Sequence, residues 1–580
     1  MKTRDTLRIH AVYIIFLVLF LTISLRIVYL QVFRSDFFQH LAQNQYYRII
    51  PLLGKRGTIF DCKGRLLATE INTHSVFADP LFITKPNLTV AILSSQLGLS
   101  GQKVKEKLSK KKRFVWIKRK VSWGQKEQIA KRKLKGVGFL REYKRFYPQE
   151  KLAASVLGIT DIDNRGLDGL ELYYDNCLRG KDGMVRVLQD SASREVILTP
   201  TIITPQEGRD IILTIDSQIQ YWTENYLEET IKKFSAREGS VVVMNANTGE
   251  ILALANYPQF NPNNLEGVSS ELMRNKAVCD MFEPGSVFKM VTLVAAIDQK
   301  KFGDQDRIFC ENGAFKIPGS TLHDWKPYGI LTFREVFKKS SNIGVGKIAN
   351  FLGRPTIHLY MKKLGFGEKT GVDLPGEVRG NVKPLFAWSN TSGYIMPIGQ
   401  EVGVNLLQLV RAFAVVANGG YLVKPHIVAA IATQDAYRQM PIEKKRIIVP
   451  STAERARAIL EDVVADGTGK LAAIKGVKVG GKTGTAQKYD VELKRYSSTQ
   501  YRASFIGFVS ELDPPIVIGV SVFEPKKSHF GGVVAAPLFR KVAEQSIKYL
   551  RGGKAQTESI SRPSKDQVGA VSDEDVDTGD

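Results

Sequence analysis

The chain is predicted to be an α+β protein carried on one membrane anchor. Three observations predict this. The first is an apolar run near the N-terminus. The second is a set of strand-like segments at both ends of the C-terminal two thirds. The third is a long helical stretch between those strands. Strands first, helices in the middle and strands last imply one α+β domain whose sheet is closed by both of its chain ends. The 580 residues are too many for one ordinary domain, and 43% of them are hydrophobic, enough for large cores.

The anchor is residues 9–33. Ile9 to Phe33 is almost wholly apolar, with Arg26 its one certain charge, and about 20 such residues cross a bilayer. Lys2, Arg4 and Arg8 precede it, which argues for a cytoplasmic tail (1–8) and an exported remainder. "SLRIVYLQVF" offers no small-residue cleavage pattern, so the segment reads as a retained, single-pass anchor.

Residues 34–205 are polar and irregular in pattern. "RGTIFDCKGRLLA" (Arg56 to Ala68) reads as strand, turn at Lys63-Gly64, and strand. From Lys103 to Arg145 the chain is dense in Lys and Arg, with Phe114, Trp116 and Trp123 interleaved. Such interleaving marks nucleic-acid or lipid contact, or the solvated face of a small α+β subdomain, which is the reading preferred here. The net charge of +24 suits an anionic membrane surface or an acidic polymer. Zinc-finger spacing and RNP-like aromatics are both missing from the sequence, which argues against nucleic acid. Cys62, Cys177, Cys279 and Cys310 form no Cys-x-x-Cys pair, so no metal site is expected. They are free thiols or make one or two disulfides.

Residues 206–550 change character. "GSVVVMNANTGEILALANYP" (Gly239 to Pro258) is a hairpin around an Asn-Thr-Gly turn. "LTFREVFKKSSNIGVGKIANFLG" (Leu331 to Gly353) and "NLLQLVRAFAVVANGG" (Asn405 to Gly420) are helical. Strands follow at Val477–Gln487, Ala503–Ser510 and Pro515–Pro525, then an amphipathic helix at Ala536–Leu550. Residues 551–580 are polar, lack aromatics and read as a disordered tail.

The chemistry starts at "EPGSVFKM" (Glu283 to Met290). Pro284 and Gly285 punctuate the chain, so a helix begins at or beside Ser286. Ser286 and Lys289 then share a helix face and can serve as nucleophile and base. Ser-x-x-Lys also occurs at Ser100/Lys103 and Ser109/Lys112, in the Lys-rich stretch where chance is enough. Two motifs follow Ser286. "SSN" (Ser340 to Asn342) lies at a helix connection or helix start and offers a proton relay in Ser340 and an amide binder in Asn342. "KTGT" (Lys482 to Thr485) lies at the end of a strand, and Lys482 with the Thr483 and Thr485 hydroxyls can hold a carboxylate. Lys-Thr-Gly recurs at Lys369, but between turn residues with no strand before it, so that copy is read as a surface loop.

Ser-x-x-Lys, Ser-x-Asn and Lys-Thr-Gly in this order resemble the penicillin-binding proteins and serine β-lactamases. "RGTIFDCKGRLLA", "GLDGLELYYDNCLRGKDG" (Gly166 to Gly183), "LTIDSQIQ" (Leu213 to Gln220) and "GGVVAAPLFRKV" (Gly531 to Val542) extend the resemblance to the class B penicillin-binding proteins over roughly residues 1–550. Those are monofunctional peptidoglycan D,D-transpeptidases. The resemblance implies a five-stranded antiparallel sheet with helices on both faces, on an elongated α+β pedestal or dimerisation-type domain. "SVLGITDIDNRGLDGLE" and "QDSASREVI" look most like the division-specific type. Asn405 departs from the Thr usual before the Leu-Gln helix.

The resemblance further implies a chemistry and its partners. A stem peptide ending in D-Ala-D-Ala acylates Ser286. Lys289 must be neutral to take the proton, so its pKa must be lowered by burial or by a nearby cation, for which Lys482 is the candidate. The N–H groups of Ser286 and Thr485 form the oxyanion hole, with Gly484 between the two threonines in the substrate-binding strand. Ser340 passes the proton to the leaving D-Ala. No cofactor is needed. β-Lactams are the expected inhibitors. The segment before the transpeptidase domain is unlike a glycosyltransferase, so a membrane-embedded glycan polymerase and division-machinery proteins are expected partners. An elongation-type transpeptidase is the alternative, and a β-lactamase or penicillin sensor is a more distant one. The pedestal argues against a lactamase. A sensor is expected to have more spans or a cytoplasmic effector, for which residues 1–8 leave no room.

Overall fold

The computed structural model describes residues 2–38, 47–189, 195–196, 203–433, 436–490 and 495–553. The expected tail beyond residue 553 lies outside the described residues. The chain divides into two compact units.

The first unit comprises residues 1–55 and 180–208. Its helix Lys2–Val28 passes into a π-helical stretch at Tyr29–Phe33. Thr6–Phe33 is long and apolar enough to cross a membrane, and the Arg26 guanidinium stands over the Tyr29 ring at 5.5 Å. In the same unit the strand Tyr47–Leu52 pairs antiparallel with Gly183–Gln189.

The second unit comprises 56–179 and 209–580. Its first part is a head. The long strand Leu66–Ala78 pairs with both Val115–Val121 and Val137–Phe146. Helices Pro86–Leu97, Gly101–Leu108 and Trp123–Lys131 contribute Leu93, Leu97, Val104 and Ile129 to one small core with Val76, Ile117 and Val121. These strands and helices form a small α+β subdomain, as expected. The expected turn at Lys63-Gly64 is present, with Gly64 in the left-handed region.

Two of the quoted motifs, far apart in sequence, meet as ion partners. Arg56 donates to Glu171 at 2.7 Å and Asp175 at 2.6 Å, and Arg145 donates to Glu171 at 2.6 Å. Arg56, Arg145 and Glu171 are almost inaccessible. Buried charges persist only when paired and hydrogen-bonded, so this cluster ties the Arg56 strand entry to the Gly169–Tyr173 helix.

The rest of the second unit is built on five strands: β1 (Glu238–Asn245), β2 (Ile251–Tyr257), β3 (Val479–Asp490), β4 (Arg495–Val509) and β5 (Ile516–Phe523). They form an antiparallel sheet in the order β2-β1-β5-β4-β3. The two ends of this region thus close one sheet. Alternate residues face opposite layers, as a period of two requires. Val241, Val243, Phe505 and Ile518 pack under α1 (Ser217–Phe234) and α6 (Gly531–Gly553). Val242, Met244, Ile506 and Val517 pack under α2 (Lys289–Asp298), α4 (Leu406–Ala417) and α5 (Pro450–Asp466). α2 is central, so its residues Lys289 to Ile297 are all buried. The helical segment expected over 331–353 is broken at Ser340 into Phe333–Lys338 and α3 (Asn342–Leu352).

Asn405 fits its position. It N-caps α4 by accepting from Gln408 N at 2.8 Å and completes a capping box. Its amide also donates to Val378 O at 2.9 Å. The four cysteines are free thiols.

Candidate active site

The Ser286 segment begins as a short 3₁₀ helix, Gly285–Phe288, and continues as α2. In 3₁₀ geometry residues three apart eclipse, so Ser286 and Lys289 do share a face. Gly285 has φ +56°, and a Cβ there would meet Thr485 O at 2.9 Å. A Cβ on Gly484 would meet Val287 at 2.7 Å and Pro284 O at 2.9 Å. The Ser286 turn therefore lies directly on β3, and both glycines are required by that close approach. Gly484 has a shape role here in addition to its place in the motif.

β3 is one of the two edge strands of the sheet. KTGT sits inside it, with the strand continuing to Asp490, rather than at its end as expected. Lys482 reaches Ser340 Oγ at 2.8 Å. Lys289 Nζ donates to Ser340 O at 2.7 Å and Asn342 Oδ1 at 2.7 Å, and lies 3.1 Å from Ser340 Oγ. One hydroxyl thus stands between two amines. Ser340 has φ +60°, a region an L-residue occupies only at a cost, and this turn brings both its carbonyl and its hydroxyl to Lys289.

Lys289 and Lys482 are 0% and 1% exposed. Burial pushes Lys289 down to about 7, against a smaller opposing pull from Asp324. Burial, then the neighbouring Lys289, hold Lys482 well below the usual lysine range. Two buried ammonium groups sharing one hydroxyl repel, so one proton is held loosely. A neutral Lys289 would use two N–H groups on Ser340 O and Asn342 Oδ1 and accept the Ser340 hydroxyl proton on its lone pair. Among the described residues no hydrogen bond joins Lys289 to Ser286. The three positions around Nζ are filled, so Lys289 would have to exchange its Ser340 Oγ contact for Ser286 Oγ to act as a base there. Apo geometries often need such tightening.

The two threonines face elsewhere. Thr483 Oγ1 pairs with Thr468 Oγ1 at 2.9 Å, and Thr485 Oγ1 accepts from Gly531 N at 3.1 Å, leaving its own proton available. The Thr370 segment is only partly a surface loop: Lys369 is exposed, but Thr370 is buried and donates to Glu377 at 2.6 Å. Ser100 and Ser109 flank the helix Gly101–Leu108, whose buried Val104 belongs to the head core and not to the cluster around α2.

Sequence reasoning missed Asp324. Its carboxylate accepts from Ser341 Oγ at 2.6 Å, from Asn342 N, and from Ile343 N at 3.2 Å. It sits at the positive end of α3 and satisfies donors that the helix leaves open. Asn342 Nδ2 donates to His323 O at 2.8 Å. Together these contacts aim Asn342 Oδ1 at Lys289. No spacing rule joins residues 323–324 to 340–342; the nearest signal is a carboxylate in a loop ahead of a Ser-capped helix.

A helix-borne serine, two buried lysines bridged by a hydroxyl, and an open edge strand define a serine acyltransferase. The comparisons agree. Residues 239–544 match the penicillin binding protein transpeptidase domain, and residues 51–213 match the penicillin-binding protein dimerisation domain. The chain belongs to the penicillin-binding protein transpeptidases. It is 35% identical over 545 residues to stage V sporulation protein D of Bacillus subtilis, covering 92% of this chain and 84% of that protein. It is 33% identical over 554 residues to PbpC, a probable peptidoglycan D,D-transpeptidase of Pseudomonas aeruginosa, covering 94% and 96%. Penicillin binding protein 3 of Mycobacterium tuberculosis, solved with aztreonam, superposes with a TM-score of 0.68 at 28% identity, covering 87% and 97%.

Proposed function

We propose that the chain crosslinks peptidoglycan through a Ser286 acyl-enzyme and serves septal wall synthesis. It is a penicillin-sensitive D,D-transpeptidase. The convergence of Lys289, Lys482 and Asn342 on or around Ser340, beside the Ser286 turn, is the observation that supports this most.

In the proposed reaction a stem peptide pairs along the outer edge of β3, as extended peptides do on open sheet edges. Ser286 Oγ attacks the penultimate D-Ala carbonyl and Lys289 takes its proton. The Ser286 and Thr485 N–H groups hold the oxyanion. The C–N bond to the terminal D-Ala breaks, and the departing amine takes a proton relayed through Ser340. Lys482 and the Thr485 hydroxyl hold the substrate carboxylate. An amine from a second stem peptide then attacks the ester, forms the crosslink and frees Ser286.

The membrane-anchored catalytic domain works outside the cytoplasm, where its substrate is. We assign 1–8 to the cytoplasm, 9–33 to the bilayer, 34–205 to the pedestal, 206–550 to catalysis and 551–580 to a tail. A membrane-embedded glycan polymerase supplies the strands. The septal assignment rests on the likeness of Ser155–Glu171 and Gln189–Ile197 to division-type enzymes. Labelling of the full chain with a fluorescent penicillin, followed by mass mapping, tests the chemistry. Label on Ser286 and none in Ser286→Ala is expected, a loss on the order of a millionfold in rate; label elsewhere overturns it. Rescue of cells depleted of their septal transpeptidase, with none in cells depleted of the elongation enzyme, is expected for the septal role. The reverse pattern assigns it to elongation.

A further inference from the structure

The net charge is concentrated in the head. Between Lys103 and Arg145 eighteen Lys and Arg stand against three Asp and Glu. The sheet register decides where they gather. Ala78, the last residue of its strand, pairs with Val115 and with Val137, the first residues of theirs. Three chain segments, 79–85, 109–114 and 131–136, therefore meet at one end of the sheet. A backbone bond from Asp79 N to Gly136 O, 2.7 Å, ties the first to the third.

These segments carry Lys85, Lys110–Arg113, Lys131–Lys133 and Lys135, nine exposed cations. Their one acid is Asp79, and its carboxylate is occupied with Leu81 N at 3.0 Å. Among the described residues only Lys131 of the nine has an ion pair, with Glu127 at 3.6 Å. The same end bears bulky apolar tips. Leu81 is 61% exposed and Phe82 63%, held out by a 3₁₀ turn that Asp79 caps and Pro80 starts. Phe114 is also exposed, its ring stacked on Phe77 at 4.9 Å. Lys133 takes φ +48°, where glycine or asparagine costs less.

A merely solvated face needs no exposed leucine and phenylalanines, and a phosphate polymer would be met by charge alone. Apolar tips inside a ring of cations match the headgroup boundary of an anionic bilayer, where rings and aliphatics enter the interface and lysines meet the phosphates. The N-terminal helix is long and apolar enough to hold the chain at a membrane, so a bilayer is a partner that this chain meets. We propose that this end of the head is a membrane-binding surface: Leu81, Phe82 and Phe114 insert at the interface of a bilayer containing anionic phospholipid, and the nine cations hold them there.

Hydrogen exchange of the full chain in nanodiscs tests this, comparing phosphatidylcholine alone with its mixture with phosphatidylglycerol. Amides in 79–88, 109–114 and 131–137 are expected to exchange at least about tenfold more slowly in the anionic discs, the equivalent of one or two surface-held lysines. High salt should remove most of that protection. So should Lys110→Glu/Lys112→Glu/Lys133→Glu, and separately Leu81→Asp/Phe82→Asp, while both variants keep parent-like penicillin labelling and are therefore folded. Equal exchange in the two lipids overturns the proposal, as does full protection in either variant. Equal protection by soluble polyphosphate added to neutral discs also overturns it, in favour of a polyanion site.

Discussion

Replacing Asp324 by Asn tests the electrostatics of the site with little change of shape. The Asn Oδ1 can still accept from the N–H groups of residues 342 and 343. The Ser341 hydroxyl, which loses its carboxylate acceptor, has Cys310 Sγ at 3.5 Å as a second partner. What disappears is the charge. Lys289 is held down to about 7 by burial, and Asp324 is the carboxylate that opposes the fall. Lys482 is the other titratable group facing Lys289, through Ser340. A folded-state pKa below the free value means that the neutral, basic amine is present above about pH 7 and lost below it. Acylation should therefore rise with pH through that point. Asp324→Asn removes the pull that opposes burial and should move the midpoint down by about one unit, the low end of what a nearby opposite charge contributes and the equivalent of about 1.4 kcal/mol. The measurement is the second-order rate of acylation by a fluorescent penicillin between pH 5 and 9. Relative to its own plateau, the variant should be about tenfold faster than the parent at the acid end. A variant that loses rate uniformly with an unmoved midpoint would show that Asp324 is only a peg for α3, and that its charge does not reach Lys289.

Three further outcomes are expected. Lys482→Ala should lower acylation by several kcal/mol, about a hundredfold or more, because charge-assisted bonds to a carboxylate are about twice as strong as neutral ones; Lys369→Ala should change little, and equal losses in a rate comparison would refute the choice of loop. Glu171→Ala should destabilise the chain by about 3–5 kcal/mol in denaturant unfolding, because Arg56 and Arg145 are left buried with reduced partners; a change under about 1 kcal/mol would mean that water or Asp175 compensates. Arg26→Leu should leave insertion and penicillin labelling intact but weaken co-purification with the proposed membrane-embedded glycan polymerase, since the helix runs past Arg26 to Val28 and π-helically to Phe33; undiminished co-purification would make Arg26 an interfacial anchor only.

Much of the site was legible in the sequence because its parts are local. Pro284-Gly285 announces a helix start, and a three-residue spacing on that helix places Ser286 beside Lys289 whatever the rest of the chain does. The hairpin around Asn247-Thr248-Gly249 and the apolar strands near the C-terminus are likewise written in turn chemistry and period. Apolar strands on both sides of a helical middle were enough to close the sheet. Other features depend on which strand neighbours which. KTGT could be assigned to a strand, but its place on the edge, open to a peptide, follows only from the order β2-β1-β5-β4-β3. The meeting of Lys289 and Lys482 at Ser340 spans nearly two hundred residues, and no periodicity encodes it. Asp324 stayed invisible because it acts across a turn on a helix that begins eighteen residues later. The basic head shows the same division. Its charge and aromatics were plain in sequence and read as a solvated face, whereas the gathering of nine cations around three apolar tips exists only because Ala78 pairs with both Val115 and Val137. Local propensity and motif chemistry are properties of short segments; pairing and burial are properties of the whole chain, and they decide which of those segments face one another.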